Sequence, residues 1–234
     1  MPARNVVKTY VKDGYYHVYN RGVEKRNIFL DEQDYRVFLN ILKEALLSPT
    51  ELVKHKKQVT FKGVTFKGLM HPPKNFYERI ELLAYCLMPN HFHFLLKQCE
   101  ERSMHQFLHS ICTRYVIYFN KKYTRVGALF QNAYKAVLIS DEPYLLHVSR
   151  YIHRNPQSYT EDLENAYSSY GEYLGIRKTE WVKTDLILSF FQYGKLPLLK
   201  QVNSYQEFVE YEHKKETPME WYLDKSITLE DDEE

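Results

Sequence analysis

The fold of this chain is decided by residues 81–97, which read ELLAYCLMPNHFHFLLK. Two apolar runs are separated there only by Pro89-Asn90, a spacing that predicts two antiparallel strands joined by a tight turn. Because side chains alternate across a strand, His91 and His93 project from one face of the second strand and Phe92 projects from the other. We expect the phenylalanine face to pack against helices.

Outward from this hairpin, the apolar spacing switches between the strand period and the helix period. The predicted order is a strand at 15–19, a helix from a cap at Asp31 to Ser48-Pro49, strands at 81–88 and 91–97, a helix at 102–122, a strand at 129–139 and a helix from Ser140 or Asp141 to about Arg154. This order predicts an α+β domain, in which a mostly antiparallel sheet is covered by helices.

The chain divides into a core and several flanking or inserted segments. Residues 50–78 interrupt the core pattern and carry a tandem duplication, VTFKG at 59–63 and again at 64–68. A basic hairpin or a long inserted loop is predicted there. The predicted organisation is a basic arm at 1–13, the core domain at 14–157, a C-terminal helical extension at 158–229 and an acidic tail at 230–234.

Composition narrows the class of protein. With 44% hydrophobic residues among 234, the chain can bury a core, which excludes disorder of the whole chain. No apolar run approaches the roughly 20 residues of a membrane span, and none follows the N-terminus as in a signal peptide. Three cysteines form an odd set without metal-binding spacing, which suits a reducing cytoplasm. We therefore expect a cytoplasmic protein that does not bind a membrane.

Charge and aromatic content indicate nucleic acid as a partner. Five of the 30 acidic residues form the run 230–234, which leaves 25 against 32 basic residues and a net charge of +7 for the rest of the chain. Cations follow phosphates, and the 21 tyrosines offer rings that stack on unpaired bases. The alternative is that the tyrosines are ordinary residues of the core and its rim.

His91 and His93 form the first candidate site. Two neutral imidazoles on one face of a strand can hold a divalent cation when a third ligand comes from elsewhere in the fold. The pattern alone is weak in a chain with ten histidines. Its alternative is a pair of half-buried histidines beside a hairpin turn.

The second candidate site closes the last predicted core helix, in the sequence RYIHRNP at 150–156. Residues four apart share a helix face, so Tyr151 and Asn155 point the same way. Pro156 disfavours helical geometry at Asn155, which predicts a loosening helix end from which this side chain turns toward a ligand. The alternative is a helix cap at Asn155 and an ordinary amphipathic tyrosine at Tyr151.

Together the two sites indicate cleavage of a phosphodiester by a tyrosine. A metal held by His91 and His93 and completed by the amide oxygen of Asn155 would stand one helical turn from the hydroxyl of Tyr151. Such chemistry needs a Lewis acid on a non-bridging oxygen and a nucleophile in line with the leaving 3′ oxygen. The resulting 5′-phosphotyrosine conserves the bond energy, so a free 3′-OH can reverse the attack and transfer the strand without ATP.

Motifs in a shared order carry a resemblance to a known family. LMPNHFH at 87–93 resembles the HUH motif of single-tyrosine transposases of the insertion-sequence type, and in particular of their REP-associated branch. The other matching motifs are YNRG at 19–22, GALFQ at 127–131, YKA at 134–136 and YIHRNP at 151–156, while AYSSYGEYL at 166–174 with Trp181 resembles the C-terminal segment of the branch.

The resemblance implies a ferredoxin-like or RRM-like fold, Mg²⁺ or Mn²⁺ as cofactor, and hairpin-bearing single-stranded DNA as substrate. It assigns Tyr151 as the nucleophile and His91, His93 and Asn155 as metal ligands. It also implies a bacterial, nucleoid-associated enzyme that works as a monomer or a homodimer.

The chain departs from the family pattern at several places, while every proposed catalytic position is present. The departures are the insertion 50–78, the extension beyond 190, Pro143, and Asn132-Ala133 where the family commonly has glycine and arginine. The last of these removes a possible phosphate contact.

Polar and basic side chains in or near the motifs are the candidate DNA contacts. They are Asn20, Arg21, Arg114, Lys122, Arg125, Lys135, Arg150 and Arg154. The alternative for each is an ordinary solvated surface side chain.

Two other functions remain open at the level of sequence. One is an HUH-fold protein domesticated to bind structured single strands without productive transposition. The other is nicking of the replication-initiator or relaxase type on the same fold. Relaxases usually carry a third metal-binding histidine and place the tyrosine near the N-terminus, and neither feature is visible here.

Overall fold

The computed structural model describes residues 10–55, 58–61, 64–67, 73–131, 133–193 and 202–210. Its strands are β1 (Gly14–Arg21), β2 (Gln58–Phe61), β3 (Val64–Lys67), β4 (Ile80–Met88), β5 (His91–Gln98) and β6 (Lys135–Ile139). Its helices are α1 (Glu32–Leu46), α2 (Pro49–His55), α3 (Ser103–Lys122), α4 (Glu142–Arg154), α5 (Tyr170–Tyr173), α6 (Asp185–Tyr193) and α7 (Tyr205–Glu210). Among the described helices, none is long and apolar enough to cross a membrane.

The main sheet has four antiparallel strands in the spatial order β4-β5-β1-β6. Helix α1 lies between β1 and β4 in the chain, and α3 lies between β5 and β6. This order and connectivity are those of a ferredoxin-like α+β fold, so the predicted fold class is confirmed. The predicted hairpin is confirmed as well, with Met88 paired to His91 across its turn.

The two faces of the sheet carry different cores. On one face, Phe92 and Phe94 of β5 pack with Phe38 of α1 and Phe107 of α3. On the other face, Leu95 of β5 joins a second cluster that includes residues of α4, α5, α6 and α7. The alternation read from the sequence therefore places the phenylalanines under α1 and α3, as expected, and turns His91 and His93 toward the face that α4 covers.

Two helix starts follow their predicted caps. The side chain of Asp31 accepts the backbone N–H of Asp34 at 3.1 Å and caps α1. The side chain of Asp141 accepts the backbone N–H of Tyr144 at 2.8 Å and caps α4, with Pro143 in the first turn, where a backbone N–H has no intrahelical acceptor.

Three predictions made from local pattern are corrected. Helix α1 ends at Leu46, close to the predicted stop at Ser48-Pro49, but the segment predicted as a hairpin or loop begins with a second helix. Pro49 starts α2, where Ser48 Oγ accepts the backbone N–H of Glu51 at 3.2 Å, because proline suits a first helical turn. The strand predicted at 129–139 is confined to β6, since residues before it leave the sheet and Phe130 forms only an isolated bridge to Gly22.

The third correction concerns the end of α4. Asn155 keeps a right-handed helical conformation, with φ −50° and ψ −39°, and the chain continues as a 3₁₀ turn over Asn155–Ser158. Pro156 is accommodated because the tighter turn begins there. The backbone at Asn155 is therefore helical and not the loosened end that was predicted.

The insertion contains a hairpin, which is one of the two structures predicted for residues 50–78. Strands β2 and β3 pair only with each other, in a two-stranded sheet separate from the main one. Their register pairs Thr60 with Thr65, so the two copies of the duplicated sequence lie against one another. Residues 1–9 of the predicted basic arm and the acidic tail at 230–234 lie outside the described residues, as does Asn132.

Candidate active site

The register of the central strands gathers the candidate residues at one end of the sheet. Tyr19 of β1 lies opposite His93 of β5, and Arg21 lies opposite His91. Paired residues of antiparallel strands share a face, so these four side chains lie on the face that α4 covers. Asn20, one residue along, pairs with Phe92 and belongs to the opposite face.

His91 is held by the turn that precedes it. Its Nδ1 lies 2.5 Å from Oδ1 of Asn90, whose Nδ2 donates to the backbone carbonyl of Lys25 at 3.2 Å. The amide of Asn155 lies close enough to His91 to raise the pKa of its ring. The ring of His91 meets the ring of His93 edge to face, with centroids 5.0 Å apart.

His93 is fully buried, and its two ring nitrogens have different surroundings. Nδ1 lies 2.9 Å from Nε2 of His17, which is also fully buried and stacks on the His93 ring. Nε2 of His93 has no hydrogen-bond partner among the described residues. A buried imidazole nitrogen without a hydrogen-bond partner lowers the stability of the fold unless another group binds to it.

Burial keeps this cluster uncharged at neutral pH. Loss of hydration lowers the pKa of His91 to about 4, helped by the positive charge of Arg21 and opposed by the amide of Asn155. The same cause lowers the pKa of His17 to about 3 and holds the pKa of His93 well below its usual value. Neutral imidazoles are the form that binds a metal.

Helix α4 brings Tyr151 and Asn155 to the histidines. Apolar residues of α4, such as Val148 and Ile152, are buried against the sheet and set the rotation of the helix. The half-buried ring of Tyr151 then meets the ring of His93 edge to face at 5.3 Å between centroids, and the ring of His17 at 5.8 Å. One turn later, the amide of Asn155 reaches His91.

These residues fit a divalent cation. Two imidazoles and one amide converge, and the Nε2 atom of His93 is a buried nitrogen that no described residue satisfies. Within the described residues, no group of three His, Cys, Asp or Glu side chains is arranged to hold a metal. The amide oxygen of Asn155 would therefore serve as the third ligand, and phosphate or water oxygens would complete a shell that Mg²⁺ or Mn²⁺ accepts.

Three of the candidate DNA contacts lie at this end of the sheet. Arg21 is close enough to affect the pKa of His91 and of His93 by its charge. Lys135 of β6 pairs with Tyr19, and its Nζ lies 5.7 Å from the centroid of the Tyr19 ring. Arg154 is half-buried beside Asn155, and its Nε donates to Gln157 at 3.0 Å.

Arg150 is corrected as a DNA contact. Its side chain is only 2% exposed, its guanidinium lies over the ring of Phe208 at 5.5 Å, and its Nε donates to the carbonyl of Val209. A guanidinium enclosed between α4 and α7 does not face a DNA strand. Arg150 joins helices instead.

Four other candidates are engaged within the protein, away from the histidines. Lys122 forms ion pairs with Asp31 and Asp34, which raise its pKa, and this network joins α3 to the start of α1. Asn20 is buried, and its side chain accepts the backbone N–H of Arg21 at 2.9 Å. Arg114 forms an ion pair with Glu44. Arg125 donates to Asn120 at 3.2 Å, and its guanidinium lies over the ring of Phe119. The role of these four side chains as DNA contacts stays a prediction.

Sequence reasoning missed the residues that support the site. His17 was recognised only as part of an alternating strand, and Asn90 only as part of a turn. The strand register supplies the missing signal, because His17 and Tyr19 alternate onto the face that also carries His93.

His153 was missed too. It is buried between Oη of Tyr205 and Oγ of Ser169, at 2.7 Å from each, and ties α4 to the C-terminal segment.

The sequence was compared with family profiles and with curated proteins. The sequence profile described as "Transposase IS200 like" matches residues 52–155. No curated protein sequence is similar enough to this chain to count as a match.

Two solved structures match part of the backbone. One is a REP-associated tyrosine transposase bound to a REP hairpin, with 11% identity, a TM-score of 0.48, and coverage of 76% of this chain and 95% of that one. The other is a candidate transposase from Deinococcus radiodurans R1, with 15% identity, a TM-score of 0.35, and coverage of 67% and 95%.

Proposed function

We propose that this chain, whose residues 52–155 match the profile described as "Transposase IS200 like", is a metal-dependent endonuclease and strand transferase for single-stranded DNA. The proposed nucleophile is Tyr151, and the proposed metal ligands are His91, His93 and Asn155. The proposed substrate is a single strand that carries a hairpin, in keeping with the motifs shared with the REP-associated branch.

One observation carries the proposal. A tyrosine from α4 rests on the ring of His93, whose Nε2 has no hydrogen-bond partner among the described residues, and the same helix presents Asn155 to His91. A structural pair of histidines would be expected to satisfy both nitrogens of a fully buried ring. A nucleophile, two neutral nitrogen ligands and an amide oxygen in one place favour phosphoryl transfer over simple packing.

The proposed reaction balances as a transesterification. Oη of Tyr151 forms a bond to phosphorus while the bond from phosphorus to the 3′ oxygen breaks, and the upstream strand leaves with a free 3′-OH. The phenol gives its proton to solvent, and the departing 3′ oxygen takes one up. In the reverse direction a 3′-OH attacks the phosphotyrosine and releases the tyrosine, which joins two strands.

The residues of the chain have separable roles in this step. The packing of the Tyr151 ring against two imidazoles orients its hydroxyl, which lowers the entropy cost of an in-line attack. A bound Mg²⁺ or Mn²⁺ would supply Lewis-acid stabilisation of the charge on the non-bridging phosphate oxygens. Arg21 and Lys135 place positive charge beside the same position and would hold the DNA backbone.

The test is a covalent adduct of defined polarity. Single-stranded hairpin DNA labelled at its 3′ end is incubated with protein and Mn²⁺ and resolved on a denaturing gel, in parallel with the same DNA labelled at its 5′ end. A 5′-phosphotyrosine retains the 3′ label on the protein and releases the 5′-labelled fragment. The adduct should disappear with EDTA and with Tyr151→Phe.

Tyr144→Phe is the matched control, because Tyr144 lies two turns earlier on the same helix and packs into the second core cluster. It should retain the adduct. If neither wild type nor Tyr144→Phe forms an adduct but both bind the hairpin tightly, the function is that of a binding protein on this fold, and the enzymatic proposal fails.

A further inference from the structure

The two proposed metal-binding histidines are each engaged through the same ring atom. Nδ1 of His91 contacts Asn90, and Nδ1 of His93 contacts His17. A neutral imidazole carries one proton, and the nitrogen that lacks it is the one that can bind a metal. The hydrogen-bond partner at Nδ1 of each ring therefore determines whether Nε2 of that ring presents a lone pair.

At His91 the direction of the hydrogen bond is fixed by a chain of contacts. Nδ2 of Asn90 donates to the carbonyl of Lys25 at 3.2 Å, which orients the amide so that Oδ1 faces His91. Because Oδ1 can only accept, Nδ1 of His91 must carry the proton. Nε2 of His91 is then a lone-pair donor in the neutral ring.

At His93 the hydrogen bond can run in either direction between two neutral rings. If His17 donates, the proton of His93 lies on Nε2, a buried N–H with no acceptor among the described residues. If His93 donates, the proton of His17 lies on its Nδ1, which is equally without a described acceptor. Only the second arrangement turns a lone pair of His93 to the site where His91 and Asn155 meet.

We propose that His17 and Asn90 are positioning residues, which hold the protons of His93 and His91 on Nδ1 and so leave both Nε2 atoms available to a divalent cation. This inference rests on the proposed function. Neither residue touches the reacting atoms. Groups that hydrogen-bond the outer nitrogen of a metal-binding histidine typically change metal affinity by about 10- to 100-fold when they are removed.

His17 is suited to this role by its place in the fold. It lies in the central strand β1, diagonal to His93; Tyr19 stacks on the ring of His93 and makes a tilted contact with the ring of His17. Full burial on all sides leaves the ring little freedom to rotate away. His17 also lies outside residues 52–155, the segment that the family profile matches.

The first measurement is Mn²⁺ binding by calorimetry in the absence of DNA. His17→Phe keeps a flat ring but has no acceptor, and its dissociation constant should rise about 10- to 100-fold. His17→Gln places an amide oxygen near the position of Nε2 and should remain within a few-fold of wild type. Melting temperatures in EDTA should show that both variants fold without metal.

The second measurement reads the proton position directly. Spectra that correlate the ring nitrogens and protons of ¹⁵N-labelled histidines, recorded on the metal-free wild type, should place the proton of His93 on Nδ1. A proton on Nε2 would overturn the proposed role of His17. Because this measurement uses the wild type, it decides the question even if His17→Phe does not fold.

The outcomes separate this inference from the proposed function. If wild type and His17→Phe bind Mn²⁺ equally, the positioning role is wrong while the metal site stands. If wild type does not bind Mn²⁺ at all, the metal site itself fails. We expect Mn²⁺ affinity to be retained in His17→Gln and weakened in His17→Phe. If His17 contributed only packing, the aromatic substitution would be the better tolerated of the two.

Discussion

The ring of Tyr151 stands edge-on to the ring of His93, with centroids 5.3 Å apart and ring planes at 89°. The proposed nucleophile therefore rests on a proposed metal ligand, although one belongs to a helix and the other to a strand. An edge-to-face aromatic contact of this kind is worth about 0.5–1.5 kcal/mol and has a preferred geometry. Packing between α4 and β5 thus fixes where the phenol points.

Loss of a proposed ligand should abolish chemistry without unfolding the protein. His91→Ala removes an imidazole at the edge of the site, and we expect adduct formation to fall at least about 100-fold, because no described side chain can replace it. His105→Ala is the control, since His105 is exposed on α3. Equal losses in both variants would show that the effect is not specific to the site.

Lys135 and Lys122 should behave differently although both are lysines. Lys135→Ala should weaken binding of single-stranded DNA and lower the slope of log affinity against log salt by about one unit, because one phosphate contact is lost. Lys122→Ala should leave that slope unchanged and lower the unfolding free energy, because it leaves Asp31 and the buried Asp34 without their cation. Titrations at several salt concentrations, paired with urea unfolding, distinguish the two results.

Acid should weaken the attachment of α4 to the C-terminal segment through His153. Burial lowers the pKa of His153 to about 3, whereas the unfolded chain takes up a proton near 6.5. Between these values the unfolded state binds more protons, so stability is present above pH 6.5 and is lost as pH falls. From pH 7 to pH 5 one such histidine costs about 2 kcal/mol of unfolding free energy.

The measurement is urea unfolding at both pH values in EDTA, for wild type and His153→Asn. The other buried histidines contribute equally to both proteins, so the difference between the two pH dependences belongs to His153. Wild type should lose about 2 kcal/mol more than the variant on acidification. Identical losses would show that His153 is already protonated in the native protein.

Gly22 should not tolerate a side chain. A Cβ added there would lie 2.2 Å from the carbonyl oxygen of Arg26, and the backbone N–H of Gly22 donates to the carbonyl of Asn90 at 2.8 Å. We expect Gly22→Ala to cost about 1–3 kcal/mol of stability as the segment shifts. Thermal unfolding measures this loss. Gly127→Ala is the comparison variant. The added Cβ there meets nothing within 4 Å, so the backbone φ of +95° is the cause of strain.

Much of the fold could be read from local patterns because the strands and helices have strong periods. The alternation of His91 to His93 and the cap at Asp31 both depend on neighbours in sequence, and both predictions were confirmed. Helix α2 was missed because Pro49 was interpreted only as a stop signal, although proline also suits the first turn of a new helix. The length of β6 was overestimated because a buried loop residue such as Phe130 is as apolar as a strand residue.

The site was less accessible to sequence reasoning, for a physical reason. The contact between His17 and His93 joins residues 76 positions apart and depends on the register of β1 against β5. The enclosure of Arg150 depends on α7, which lies more than fifty residues further along the chain. Charge alone could not show that one arginine is covered while Arg21 and Lys135 stay beside the histidines.

The pairing of β2 with β3 has an evolutionary consequence. Each copy of the duplicated sequence provides the strand partner of the other, so a single duplication of fifteen nucleotides in the gene would create a complete hairpin in one step. Because this small sheet is separate from the main sheet, such an event would leave the pairing of β1, β4, β5 and β6 unchanged. Selection could then act on the new hairpin without disturbing the strand pairing that positions the proposed catalytic residues.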